Sequence, residues 1–210
     1  MCFYLDFMTT GMYLKFMGIW RFLGLLFVLA LSIGSLCERM PERQWERGAF
    51  EPIGGKPYKL PDGLECRYIV GADEEIPSSF LPLKFVVLNN TSSRIPVIMP
   101  PGLVFSPVSN DYQYMMLLQE FSFSVPPDQD TVILLATYCA NEDLDEPDDE
   151  SYYEIAIQVW ERELCELFDL LKGKRLDYEA AVELAQAALF EITDGSGLTD
   201  STRLKLERLP

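Results

Sequence analysis

The chain reads as an α+β protein: a β-sandwich-like antiparallel sheet followed by a C-terminal α-hairpin, after an N-terminal hydrophobic signal or anchor helix. Three observations predict this. Residues 1–37 form an almost uncharged apolar run, residues 61–141 hold short β-branched and aromatic runs divided by turn residues, and residues 151–193 space their apolar side chains at helical period. The expected organisation is a signal peptide or membrane anchor over 1–37, a linker over 38–60, a β-sandwich-like domain over 61–141, a helical hairpin over 151–193 and a tail over 194–210. A composition of 49% hydrophobic and 24% charged residues over 210 positions is that of a globular chain and excludes a disordered or collagen-like one.

In the first segment the only charges are Asp6, Lys15 and Arg21. The sixteen uncharged residues Phe22 to Cys37 fall short of the roughly 20 that a spanning helix needs, which favours a signal peptide with Ser35-Leu36-Cys37 near its cleavage site. An uncleaved anchor over residues 17–37 is the rival, and lipidation at Cys37 would place Leu36 where a small residue is required. Initiation at Met17 would give a conventional start, Met-Gly-Ile-Trp-Arg. Because basic residues precede the apolar run, each alternative puts the rest of the chain outside the cytoplasm.

Alternating acidic and basic residues from Glu38 to Arg47 predict a solvated linker. Strands follow at Cys66–Val70, Leu83–Leu88, Ile95–Met99, Leu103–Phe105, Tyr114–Leu118 and Phe121–Val125, with turns at Asn89-Asn-Thr-Ser-Ser, Pro100-Pro-Gly and Pro126-Pro-Asp. The continuously apolar run Thr131 to Cys139 predicts a central strand. Overlapping glycosylation sequons at Asn89 and Asn90 sit between two strands, accessible to a transferase in a eukaryotic source and no more than a turn in a bacterial one.

Glu142 to Glu150 carries seven carboxylates in nine residues, without the register of a calcium-binding EF-hand, and is read as a solvated loop with no metal site. Ser151-Tyr-Tyr-Glu154 has capping-box spacing, so a helix is expected from there to Gly173. Its buried face would hold Ile155, Ala156, Val159, Trp160, Leu164, Leu167, Leu170 and Leu171, with Cys165 opposite. A second helix is expected from Asp177 to Ile192, burying Tyr178, Val182, Ala185, Leu189 and Ile192.

Charge and composition restrict function. Seventeen basic against thirty-three acidic side chains, net −16, argue against nucleic acid as a partner. The absence of histidine removes Ser-His-Asp and Cys-His catalysis and His-ligated zinc. No cofactor is implied, because no Gly-rich phosphate loop follows a strand.

Three cysteines follow residue 37: Cys66, Cys139 and Cys165. In an oxidising compartment a Cys139–Cys165 disulfide is one expectation, because a short connection joins the strand end to the helix and Cys165 stands off that helix's apolar face. The other expectation concerns Tyr138-Cys139-Ala140 and Ala185-Gln186-Ala-Ala-Leu-Phe190. These resemble the paired motifs of bacterial surface thioester domains, a resemblance that implies an internal thioester between Cys139 and Gln186, formed with loss of ammonia and open to attack by an amine on a partner. Gln186 lies at the edge of its helix's apolar stripe, where its carbonyl can reach a neighbouring strand. Leu83-Lys-Phe-Val-Val-Leu-Asn-Asn90 with Pro100-Pro-Gly-Leu-Val-Phe105 is similar to β-sandwich modules of secreted bacterial proteins of unknown function. The expectation is an extracytoplasmic, non-enzymatic binding or structural module whose partner is an unidentified protein or envelope component, with covalent capture through Cys139 and Gln186 as the alternative.

Overall fold

The computed structural model describes residues 50–52 and 54–210. The expected signal or anchor, the lipidation alternative at Cys37 and most of the linker lie outside the described residues. Among the described residues ten strands precede three helices: β1 Lys56–Pro57, β2 Leu64–Gly71, β3 Leu83–Asn89, β4 Ile95–Met99, β5 Leu103–Pro107, β6 Met115–Met116, β7 Phe121–Val125, β8 Asp130–Leu135, β9 Tyr138–Cys139, β10 Tyr153–Gln158, α1 Arg162–Leu171, α2 Glu179–Thr193 and α3 Asp200–Glu207. The strands form three sheets ordered β1-β10-β5-β6-β9, β2-β3-β8 and β4-β7, and every ladder is antiparallel. The α+β class is therefore observed. Among the described residues no helix is long and apolar enough to cross a membrane.

Side chains along the five-stranded sheet alternate between two apolar clusters, as the pleat dictates. Phe105, Met115, Cys139 and Tyr153 join one cluster with Ile69, Phe85 and Leu135 of the three-stranded sheet and Val97 and Val125 of the two-stranded one. Val104, Met116 and Tyr138, on the opposite face, join a second cluster with Leu164, Leu167 and Leu171 of α1, Ala185 and Leu189 of α2 and Leu206 of α3. The five-stranded sheet is thus the middle layer, flanked by strands on one face and helices on the other.

Four expectations are corrected. The run expected to open a helix at Ser151 is strand β10, whose Tyr153 and Ile155 pair with Pro107 and Phe105 of β5. Tyr153, Ile155 and Ile157 also recur at period two, and an open strand beside β5 decides between the two periods. The Ser151 hydroxyl caps no helix: it accepts from the Asp148 N–H at 2.9 Å and donates to the Asp148 carbonyl at 2.6 Å, closing a turn. The helix begins only at Arg162, so Trp160, expected on its buried face, is exposed. It ends as expected at Gly173, which takes φ +72° after the C-cap Lys172.

Second, the run Thr131 to Cys139 is two strands. At Thr137 the backbone turns aside, its N–H donating to the Ser79 hydroxyl and its side chain to the Leu81 carbonyl. Third, the linker stops short of residue 60. Phe50 is buried, β1 pairs with β10, and Tyr58 and Leu60 pack on the strand cluster. Fourth, α2 spans Glu179–Thr193 and Tyr178, expected to be buried, is its exposed N-cap. Residues 200–207 of the tail form α3, capped by the Thr199 hydroxyl, which accepts from the Thr202 N–H.

Candidate functional site

Strand β9 places Cys139 at the edge of the middle sheet. On one side its neighbour is β6, with the Ala140 N–H donating to the Tyr114 carbonyl at 2.8 Å. Successive peptide groups of a strand point to opposite sides, so the N–H and C=O of Cys139 face away from β6. Gln186 of α2 meets both: its Oε1 accepts from the Cys139 N–H at 2.9 Å and its Nε2 donates to the Cys139 carbonyl at 2.8 Å. One side-chain amide thus takes the place of a neighbouring strand, and at 3% exposure both the oxygen and the nitrogen of the Gln186 amide have a partner.

The structure therefore brings Cys139 and Gln186 together. The Cys139 side chain belongs to the strand-side cluster, where Phe190, one helical turn beyond Gln186, also packs. Burial, with the charge of Glu146 second, pushes the thiol pKa well above its ordinary range, so the protonated form dominates. Thioester formation would join Sγ to the Gln186 side-chain carbonyl carbon and expel ammonia. The amide oxygen that accepts from the Cys139 N–H would remain, and the Cys139 carbonyl would lose its donor.

The expected Cys139–Cys165 bridge is not formed: no disulfide joins any two of Cys66, Cys139 and Cys165. Cys139 faces the strand-side cluster, while α1, which carries Cys165, packs on the other face of the sheet. Of the two sequons, the Asn89 side is closed. Asn89 is 0% exposed, and its amide donates to the carbonyls of Ser93 and Val125 while its oxygen accepts from the Thr91 N–H and hydroxyl. Its role is to lock the β3–β4 turn, and only Asn90 is exposed.

A second feature escaped the sequence reading. Phe50 and Glu51 ahead of β1, the β5–β6 connection and the segment after β9 enclose a groove of about 370 Å³. Phe50 and Tyr114 stack edge to face at 6.0 Å. Asn141, 5% exposed, ties the walls together, donating to the Phe50 carbonyl at 3.0 Å and accepting from the Tyr114 N–H at 3.0 Å. The acidic segment is exposed at all seven of its carboxylate residues, as a solvated loop requires, and borders the groove at Asp143 and Leu144; Tyr112 holds it in place, bridging Asp145 in parallel and donating from its hydroxyl to Asp148 at 3.2 Å. Burial, the hydrogen bond to Asp148 and the charges of Asp148, Glu150 and Asp145 together raise the Tyr112 phenol above its ordinary pKa. Among the described residues no group of three or more His, Cys, Asp or Glu side chains is arranged to hold a metal ion. The groove is assembled by long-range packing from three stretches of low individual signal, so the sequence marks it only through the acidic run Glu142 to Glu150 at its border. No family model, curated protein or solved structure matches the chain.

Proposed function

We propose that the chain is an exported or membrane-anchored extracytoplasmic binding module, built on a sandwich-like scaffold and acting without catalysis. The observation that carries this reading is the groove walled by Phe50, Tyr112, Tyr114 and Asn141. Its volume lies within the range of small-ligand sites, and rings beside fixed amides are the surface chemistry of a site that binds and orients. The test is a fragment library followed by NMR on the folded protein. Shifts gathering at Tyr112, Tyr114 and Asn141 are expected, and a library that leaves those resonances unmoved overturns the reading.

A second reading, covalent capture, is favoured by one observation: Gln186 and Cys139 are in contact through two buried hydrogen bonds. Intact mass tests it. A thioester lowers the mass by about 17 Da as ammonia leaves, and methylamine restores the Cys139 thiol with an amide adduct on Gln186. An unmodified mass rules covalent capture out.

A further inference from the structure

We propose that β8 is a self-association edge, along which a second copy of the chain adds as an antiparallel strand about a two-fold axis through Val132. Most other strand edges are closed. Gln186 covers the edge of β9. Strand β4 carries Pro96, which has no N–H to offer a further strand, and its Ile98 carbonyl accepts from the Tyr58 hydroxyl at 3.0 Å. Strand β2 is broken by a bulge between Cys66 and Tyr68, and its far end is bridged to Tyr152 through Val70. Strand β1 is two residues long, and β7, which is open, turns the serines Ser122 and Ser124 away from the core. Among the described residues β8 pairs with β3 alone, and Asp130–Leu135 contains no Pro, Gly or Lys to discourage a partner. Half of its backbone N–H and C=O groups turn away from β3, as in any strand.

The side chains favour a like partner. Ile133 and Leu135 face the strand cluster, so Asp130, Val132 and Leu134 lie on the outer face, in register with Leu88, Val86 and Lys84 of β3. Tyr68 of β2 stands opposite Val86, so Tyr68, Val86 and Val132 form an apolar row that belongs to neither core cluster, with Tyr68 44% and Val132 59% exposed. A two-fold axis at Val132 joins this row to its own copy across six strands and sets Asp130 of each copy opposite Leu134 of the other. Asp130 is the only charge of the strand, and the axis keeps the two carboxylates apart by roughly 13 Å, four residues at ~3.3 Å each. Each then lies across Leu134 from Lys84, whose ion pair within its own copy, to Glu74, is a long 3.9 Å. The sheet already shows such a reach: Arg67 of β2 meets Asp130 of β8 at 3.4 Å across the intervening β3. An unrelated extended peptide could match the backbone, but only a second copy is bound by its own sequence to bring a carboxylate to Lys84 and an apolar side chain to Val132.

Disulfide trapping in the full-length protein tests the axis. Where a two-fold passes between antiparallel strands, the two copies of the residue on it have Cα atoms about 4.5–5.5 Å apart, within disulfide range. Val132→Cys should therefore cross-link to a dimer under mild oxidation roughly tenfold or more faster than Ile98→Cys, which is equally exposed but lies on β4. The parent, with its native thiols, sets the background. Val132→Lys, at an exposed position, should convert dimer to monomer in sedimentation of the full-length protein while leaving its far-UV spectrum unchanged. Lys84→Glu, which sets a carboxylate against Asp130 of the other copy, should loosen the dimer roughly tenfold. The assignment is overturned if Val132→Cys reacts no faster than Ile98→Cys or joins to a different protein, if Val132→Lys sediments like the parent, or if the dimer is indifferent to Lys84→Glu.

Discussion

At the scale of single residues the Cys139–Gln186 contact is where the energetics are sharpest. Gln186→Ala strands a buried N–H and a buried C=O, so a loss of about 2–5 kcal/mol in urea unfolding is expected. Gln186→Glu should cost at least as much near neutral pH, because a carboxylate can accept from the Cys139 N–H and has no donor for its carbonyl. A Glu variant as stable as the parent would show that the amide does not bind both groups. The thiol makes a pH prediction. Its folded pKa is raised by burial, so its contribution is fully present below the unfolded value of about 8.5 and is lost as pH rises from there toward the folded value. Melting temperature should fall above that point, and Cys139→Ala should flatten the first part of the decline, before Tyr138 and Tyr153, both also raised by burial, begin to contribute. Gln186 was legible in the sequence as an amide on the border of an apolar stripe. The disulfide expectation failed because a helical wheel places Cys165 on a face of α1 and cannot say on which side of the sheet α1 packs.

At the scale of elements, strands with hard turn punctuation were readable: β4 and β7 fall where the sequence put them. The error at residues 151–160 came from a local signal with two solutions, since Ser-x-x-Glu spacing favours a helix start and the alternation of Tyr153, Ile155 and Ile157 favours a strand. Only the long-range pairing with β5 chooses between them, and that pairing is invisible in a window of a dozen residues. Two β residues are likewise too few to announce β1 or to separate β9 from the run before it, whereas β6 lies inside the strand expected at Tyr114–Leu118. The turn between β4 and β5 gives an element-scale prediction. Gly102 has φ +77°, its N–H donates to the Leu117 carbonyl and its carbonyl accepts from the Val159 N–H, and an added Cβ would lie 2.5 Å from the Val159 oxygen. Gly102→Ala should therefore cost about 1–3 kcal/mol in denaturant unfolding, through both the left-handed backbone and the clash. A neutral substitution would mean that the β5–β10 junction yields more readily than its hydrogen bonds imply.

At the scale of the whole molecule, the charge of −16 sets the response to salt. Exposed carboxylates repel one another, so added sodium chloride should raise the melting temperature. A melting temperature that falls with salt would mean that attraction within ion pairs outweighs the repulsion among carboxylates. Export is tested by fusing, after Pro210, a reporter that matures only outside the cytoplasm. Activity is the expected outcome, and a reporter active only inside the cell sinks the assignment. The two-part plan, strands and then helices, was legible because each part repeats its own period, whereas the three-layer stacking depends on contacts no period encodes. The contact made by Gln186 bears on how the molecule is made, because residue 186 closes an edge of the middle sheet that was synthesised 47 positions earlier. A ribosome or a secretion channel releases the sheet first, and until α2 follows, β9 is an open template to which any passing extended chain can add. Truncation before α2 should thus yield a product that aggregates through that edge, which would make the 32 residues from Glu179 onward the protein's own chaperone for the strands that precede them.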